Sequence, residues 1–211
     1  MQLIVIKTQA QDELERQLDI RPVKGEKVIA TFKSGKLING HTNETLHKNE
    51  LDFKVDHRFG DIAGNNGGIK QFFGLDNSTD VRIGFEYGMS DRLTVGLARA
   101  KGATAVQQLY EGSLKYRLLQ QSLDGRVPFA VTLFGSNTIA GVAANNDDLS
   151  AANSYRNLGE RMNYVVQAII ARKFSTNFSI TLTPTYVHRN LTAFRDQNDI
   201  FAIGAKLQFL D

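Results

Sequence analysis

Cysteine is absent from the chain, which excludes a disulfide framework, a thiolate metal site and a cysteine nucleophile. Proline is scarce, with 3 residues against 18 glycines, and this balance suits sheets joined by tight turns. No apolar run approaches the ~20 residues that a membrane-spanning helix needs. That lack leaves a membrane barrel open, because the strands of such a barrel are apolar on one face only.

The chain also lacks a large excess of either positive or negative charge. The chain of 211 residues is 22% charged and 42% hydrophobic, with a net charge of +3, so its composition does not indicate disorder. Lysine and arginine are spread along the chain instead of clustered, and we therefore predict no nucleic-acid binding. The length suits one sizeable domain.

Alternation of apolar and polar residues dominates the sequence from residue 50 onward. Leu51, Phe53 and Val55 occupy odd-numbered positions, and charged residues occupy the even-numbered positions between them. A period of two indicates strands with two unlike faces. Similar stripes occur at residues 51–59, 81–87, 93–98, 110–118, 127–133, 178–186 and 201–209, and residues 162–174 form a more uniformly apolar stretch. We predict an all-β fold of about eight antiparallel strands.

The predicted connections differ in length between the two ends of the sheet. Short polar turns at residues 89–91, 121–125 and 175–177 alternate with stretches that are mostly long, at 60–79, 136–160 and 189–198. The stretch at 101–104 is the shorter exception. This asymmetry is typical of bacterial barrels, which have short periplasmic turns and longer outer loops.

The polar stripe indicates which face meets lipid. Charges of both signs lie close together along it and can pair across strands inside a narrow lumen. We predict that the lumen is lined by Asp52, Lys54, Asp56, Arg58, Arg82, Glu86, Glu111, Lys115 and Arg117. Aromatic residues recur near predicted strand ends, as interfacial girdles do: Phe59, Tyr87, Phe134, Phe174, Phe178, Tyr186 and Phe209. The alternative is a soluble barrel or sandwich that binds a small apolar ligand, because alternation alone does not separate the two.

The first 28 residues form a separate N-terminal segment, and the barrel domain is predicted to span residues 29–211. The apolar stretch Leu3–Ile6 is short. It fits the tail of a secretory signal peptide as well as it fits a short strand or frayed end. Residues 28–32 form either a strand or a segment that enters the lumen.

No catalytic, cofactor-binding or metal-binding constellation is evident, and we expect the chain not to be an enzyme. The histidines His41, His47, His57 and His188 show no two-histidine metal spacing on one face. His57 and His188 precede arginines near predicted strand ends. They are interpreted as interfacial or rim residues, in preference to an anion site at the barrel mouth.

Several segments resemble a family of bacterial envelope β-barrels known only as a domain of unknown function. They include residues 30–34, 37–40, 51–53, 57–62, 72–76, 83–88 and 187–190. The resemblance implies a transmembrane barrel of the outer-membrane type, in contact with the lipid bilayer, and no known activity or cofactor. It leaves open whether the barrel closes within this chain or is a fragment of a larger one.

Three hypotheses of function follow. The first is an outer-membrane channel or structural barrel, and the second is the soluble ligand-binding barrel. The third is an adhesion or recognition protein that acts through residues 136–160.

Overall fold

The computed structural model describes residues 24–37, 40–63, 68–74, 80–101, 108–148, 151, 153–175, 177–192 and 195–209. Strands make up most of this part of the chain, together with two short 3-10 helices at Ile69–Gly74 and Gly159–Arg161. The strands are β1 (Lys36–Leu37), β2 (Gly40–His41), β3 (Leu51–Arg58), β4 (Asp80–Ser90), β5 (Leu93–Lys101), β6 (Gln108–Leu119), β7 (Ala130–Ala140), β8 (Met162–Lys173), β9 (Phe178–Arg189) and β10 (Asp199–Phe209).

Strands β3 to β10 form one eight-stranded antiparallel sheet in which each strand pairs with its neighbours along the chain. This confirms the predicted fold class. The sheet is not closed, because β3 and β10 are its two edges. A separate pair, β1 and β2, forms a small hairpin in which Lys36 is the partner of His41.

The connections keep the predicted asymmetry in part, because the one at residues 120–129 is longer than the turn predicted at 121–125 and longer than that at 102–107. At one end lie the turn of Asp91 and Arg92, residues 120–129 and residues 174–177; the other end carries residues 59–79, 102–107, 141–161 and 190–198. We call these the short-turn end and the long-loop end. Strand β7 continues to Ala140, so the long connection expected from residue 136 begins later.

The sheet curls around the β1–β2 hairpin. The Nζ atom of Lys36 lies 2.8 Å from Oδ2 of Asp56 on edge strand β3. The carbonyl oxygen of His41, the partner of Lys36, accepts a hydrogen bond of 2.6 Å from Nζ of Lys206 on the opposite edge strand, β10. In a flat eight-stranded sheet the edges would be about 34 Å apart, at about 4.8 Å per strand. One small hairpin reaches both edges only because the sheet bends toward it.

The two faces of the curled sheet differ as the alternation predicts. Apolar side chains on the outer face are exposed, including Phe53 at 55%, Phe85 at 52% and Ile203 at 80%. Polar side chains on the inner face are buried: Thr94, Lys115, Thr132, Ser179, Thr181 and Thr183. The described residues contain no helix of the length and apolar character needed to cross a membrane.

Candidate functional site

Residues 24–50, which we call the inner segment, run against the inner face of the sheet. The segment starts at the short-turn end, where the N–H of Val28 donates to the carbonyl of Gln121 at 2.9 Å. It returns to the same end, where the hydroxyl of Thr45 donates to the carbonyl of Asp91 at 2.8 Å. The segment therefore enters and leaves the curled sheet at the short-turn end. Of the two possibilities for residues 28–32, the structure shows the segment inside the curl.

Three lysines from different strands hold the main chain of the inner segment. Lys115 of β6 donates to the carbonyl of Gly35 at 3.0 Å. Lys173 of β8 donates to the carbonyl of Ala30 at 3.1 Å, and Lys206 of β10 donates to His41 as described above. Each ammonium therefore binds a main-chain carbonyl oxygen of the segment, and that of Gly35 also accepts from the N–H of Thr42 at 3.0 Å.

One aromatic side chain anchors the segment. Phe32 is 2% exposed and packs in an apolar cluster with Ala130 of β7 and Ala171 of β8. The small side chains of these two alanines leave room for the ring on the inner face. Burying a phenylalanine side chain contributes about 1.5–3 kcal/mol, so Phe32 is a main apolar contribution to the seating of the segment.

Phe134 also lies on the inner face, where it is buried and stacks on the ring of His41 with centroids 3.8 Å apart. Its assignment to an interfacial girdle was wrong. The prediction read Phe134 as a strand end, whereas it lies in the middle of β7 with the parity of the buried Thr132. An aromatic side chain at this inward-facing position contacts the inner segment and not the membrane interface.

The end of the inner segment approaches β4 closely at Gly88. The N–H of Asn49 donates to the carbonyl of Gly88 at 2.8 Å, and the N–H of Gly88 donates to the carbonyl of Glu50 at 2.9 Å. A Cβ atom at Gly88 would overlap the carbonyl oxygen of His47. Glycine is required there because the segment crosses the strand backbone to backbone.

The inner face of strands β3 to β6 carries a network of paired charges. Lys54 lies 2.7 Å from Glu86 and 3.0 Å from Asp52. Arg82 binds both oxygens of Glu111, at 2.7 Å and 3.1 Å, and also lies 3.1 Å from Asp56. The two cations therefore share four carboxylates, and Asp56 is also paired with Lys36 of the inner segment.

The structure places most of the residues predicted to line a lumen on this inner face. Seven of the nine form ion pairs there: Asp52, Lys54, Asp56, Arg82, Glu86, Glu111 and Arg117. The eighth, Lys115, binds the inner segment. Arg117 reaches Glu44 of the inner segment at 3.8 Å. The side chain of Arg58 lies outside the described residues. A lining role around a water-filled lumen stays a prediction.

The histidines are placed apart. His188 lies at the long-loop end, 2.7 Å from Asp199 through Nδ1 and 3.0 Å from Asn190 through Nε2. His57 stacks on Phe59 at 6.5 Å. Within the ranges given above, no group of three or more His, Cys, Asp or Glu side chains is arranged to hold a metal ion.

Sequence reasoning missed Lys173 and Lys206 as inner residues. Lys206 has the inward parity of its strand, because its neighbours Ala205 and Leu207 lie on the outer face. Lys173 is the last residue of β8 and follows a nearly uniform apolar stretch, which hides its direction. The inward direction of Lys206 could have been predicted from the alternation of apolar and polar residues alone.

Two turn carboxylates fasten the ends of the inner segment. The N–H of Lys48 donates to Asp91 at 3.0 Å, and the N–H of Gly25 donates to Asp124 at 3.0 Å. Main-chain donation from Lys48 lowers the pKa of Asp91. The hydroxyl of Ser122, followed by the N–H of Gly25, lowers the pKa of Asp124. Both hydrogen bonds favour the ionised carboxyl groups.

We expect acid to loosen both fastenings. The pKa of each carboxyl is lower in the folded protein than the ordinary 3.8. Their contribution is therefore present above pH 3.8 and is lost as the pH falls through the folded value. Carboxyl-carbon NMR titration should give midpoints below 3.8, with the amide protons of Lys48 and Gly25 shifting at the same pH. Midpoints at or above 3.8, or amide protons that do not follow them, would contradict the assignment.

The curled antiparallel sheet, its exposed apolar face and its polar interior define a membrane barrel class. The chain belongs to the family of the membrane bound beta barrel domain, DUF5777, whose model matches residues 32–209. This confirms the resemblance drawn from the sequence. No curated protein and no solved structure matches the chain significantly.

Proposed function

We propose that the chain is an outer-membrane barrel whose polar lumen is closed by the inner segment and conducts ions only when that segment withdraws. The proposal assigns no catalytic reaction to the chain. Short turns at one end and long loops at the other support the outer membrane as its location. Recovery of the protein with the inner membrane in cell fractionation would remove that part of the proposal.

The single observation that carries the proposal is the way the inner segment is held. An eight-stranded barrel is just wide enough for its own side chains to fill the interior. Here a stretch of main chain occupies the interior, held by lysine-to-carbonyl hydrogen bonds, the buried ring of Phe32, the stack of His41 on Phe134 and the ion pair of Lys36 with Asp56. Hydrogen bonds from charged donors of this kind contribute about 1.5–3 kcal/mol each, net of the bonds to water that replace them on release. A removable closure fits them better than a permanent core.

The interior left by the segment would favour anions. Among the residues predicted to line the lumen, Asp52, Asp56, Glu86 and Glu111 are matched in number by Lys54, Arg58, Arg82 and Arg117, which leaves Lys115 in excess. The ammonium groups of Lys115, Lys173 and Lys206 bind only carbonyl oxygens of the inner segment among the described contacts. Withdrawal of the segment leaves these cations facing the lumen, so the open state should select for chloride over potassium.

Planar-bilayer recording tests the proposal. The full chain should show little or no unitary conductance, whereas a variant lacking residues 24–46 should show steps with anion selectivity. A substitution of Lys115, Lys173 and Lys206 by glutamine in that variant should reduce the selectivity. Heat-modifiable gel mobility controls for a folded barrel. If the folded deletion variant conducts at no voltage, the channel part is wrong and a structural barrel remains.

A further inference from the structure

Two cations lie on the outer face of β5 near the long-loop end. Arg99 and Lys101 are both exposed, and residues two apart on a strand share a face at a spacing of about 7 Å. Arg99 is the register partner of Ile83 on β4 and of Tyr110 on β6. The pair therefore places two positive charges on the outer face, beside the apolar side chains of Ile83 and Leu97 and the exposed Gln108.

The described protein supplies no counter-charge for this pair. None of its carboxylates forms an ion pair with Arg99 or Lys101 in the part of the chain that the structure covers. The nearest acid of the same groove, Glu111, is bound through both oxygens by Arg82. Cations near hydrocarbon without a protein partner attract an anion from outside.

An apolar groove of about 650 Å³ adjoins the two cations. Its apolar wall is formed by Ile83, Phe85 and Leu97, and the guanidinium of Arg99 lies 5.8 Å from the centre of the Tyr110 ring. Both Arg99 and Tyr110 line the groove. The site thus combines a cationic head position with an apolar trough beside it.

We propose that this groove binds an anionic, phosphate-bearing membrane lipid. Its headgroup phosphate lies on Arg99 and Lys101, and an acyl chain lies along Ile83, Phe85 and Leu97. The membrane-bound class of the barrel puts the groove in contact with lipid, and the charge complementarity selects the anionic headgroup. The inference rests on that class and is independent of gating by the inner segment.

A tryptophan reporter tests lipid selection, because the chain contains no tryptophan. In Leu97→Trp, brominated phosphatidylglycerol and brominated phosphatidylcholine are compared as quenchers in mixed vesicles. Each basic residue near a membrane surface contributes about five-fold to anionic-lipid binding, so we expect a preference of about five- to thirty-fold. In Leu97→Trp with Arg99→Gln and Lys101→Gln the two lipids should quench equally.

Matched variants separate a site from a general charge effect. Ile203→Trp reports on β10, where the outer face carries apolar side chains, and should show no preference. Arg92→Gln with Arg126→Gln removes two cations at the short-turn end and should leave the preference at Leu97→Trp unchanged. Equal quenching in the Leu97→Trp protein, or a preference that survives loss of Arg99 and Lys101, overturns the proposal. Loss of the preference on addition of millimolar inorganic phosphate would assign the site to free phosphate and also overturn it.

Discussion

Replacing Phe32 with alanine should release the inner segment while the membrane barrel stays folded. The ring is almost fully buried between strands β7 and β8, and truncation of a buried phenylalanine costs about 3–5 kcal/mol. Even the lower value shifts the balance between seated and released segment by about a hundred-fold. The sheet itself keeps all of its strand pairings, because the segment contributes none to β3 through β10.

A single cysteine measures this release. The chain has no cysteine of its own, and Val28 is buried where the inner segment begins. A thiol at Val28→Cys reacts with a water-soluble maleimide when the segment leaves its seat. The reaction should be about a hundred-fold faster in the Phe32→Ala background, with unchanged heat-modifiable mobility on gels.

Two neighbouring substitutions serve as controls. Phe32→Leu keeps most of the apolar volume and should accelerate labelling by less than about ten-fold. Ile29→Ala removes apolar atoms from the same segment, yet Ile29 is 92% exposed, so the labelling rate should not change. If Phe32→Ala labels no faster than Ile29→Ala, the ring does not hold the segment in place.

The sheet was predictable because its signal is local and repeated. Leu51, Phe53 and Val55 alternate with charged residues, and a strand of period two must send these sets to opposite faces. Their register partners on β4 repeat the same alternation, as in the pair of Phe53 with Phe85. Repetition of this rule in seven of the eight strands sufficed for the fold class and for the inward direction of most charged residues, whereas β8 is more uniformly apolar.

The inner segment was not predictable in the same way. It consists mostly of turns and bends around a two-residue hairpin, so it carries no period. Its main-chain carbonyl oxygens accept hydrogen bonds from lysines. Every residue has a carbonyl, so the sequence does not indicate that those of Gly35 and Ala30 are the acceptors. Its position depends on contacts with residues far along the chain, such as Lys115 with Gly35, which are 80 positions apart.

The open edges of the sheet were not predictable either, because they also depend on residues far apart in sequence. Alternation in β3 and β10 predicts two strands, but it does not say whether they pair with each other. In the structure the hairpin lies against both, with Lys36 on Asp56 and His41 on Lys206. A segment that occupies the interior competes with closure of so narrow a barrel, and the residues involved are far apart in sequence.

The central claim is that the apolar face of the curled sheet meets hydrocarbon and the charged face looks inward. Phe53, Phe85 and Ile203 are exposed to the surroundings, whereas Lys54 and Arg82 are engaged in ion pairs on the other face. In a bilayer, molecular oxygen concentrates in the hydrocarbon and a polar nickel chelate stays in water. Nitroxide labels on the two faces therefore report opposite environments.

Spin-label accessibility in lipid bilayers tests this claim most directly, with single cysteines placed one at a time in the cysteine-free chain. We predict high oxygen accessibility and low nickel accessibility at positions 53, 85 and 203. We predict low oxygen accessibility at positions 54 and 82, so that the profile alternates with a period of two. Labels at 53, 85 and 203 shielded from oxygen, with 54 and 82 open to the nickel chelate, would contradict it and return the chain to a water-soluble barrel.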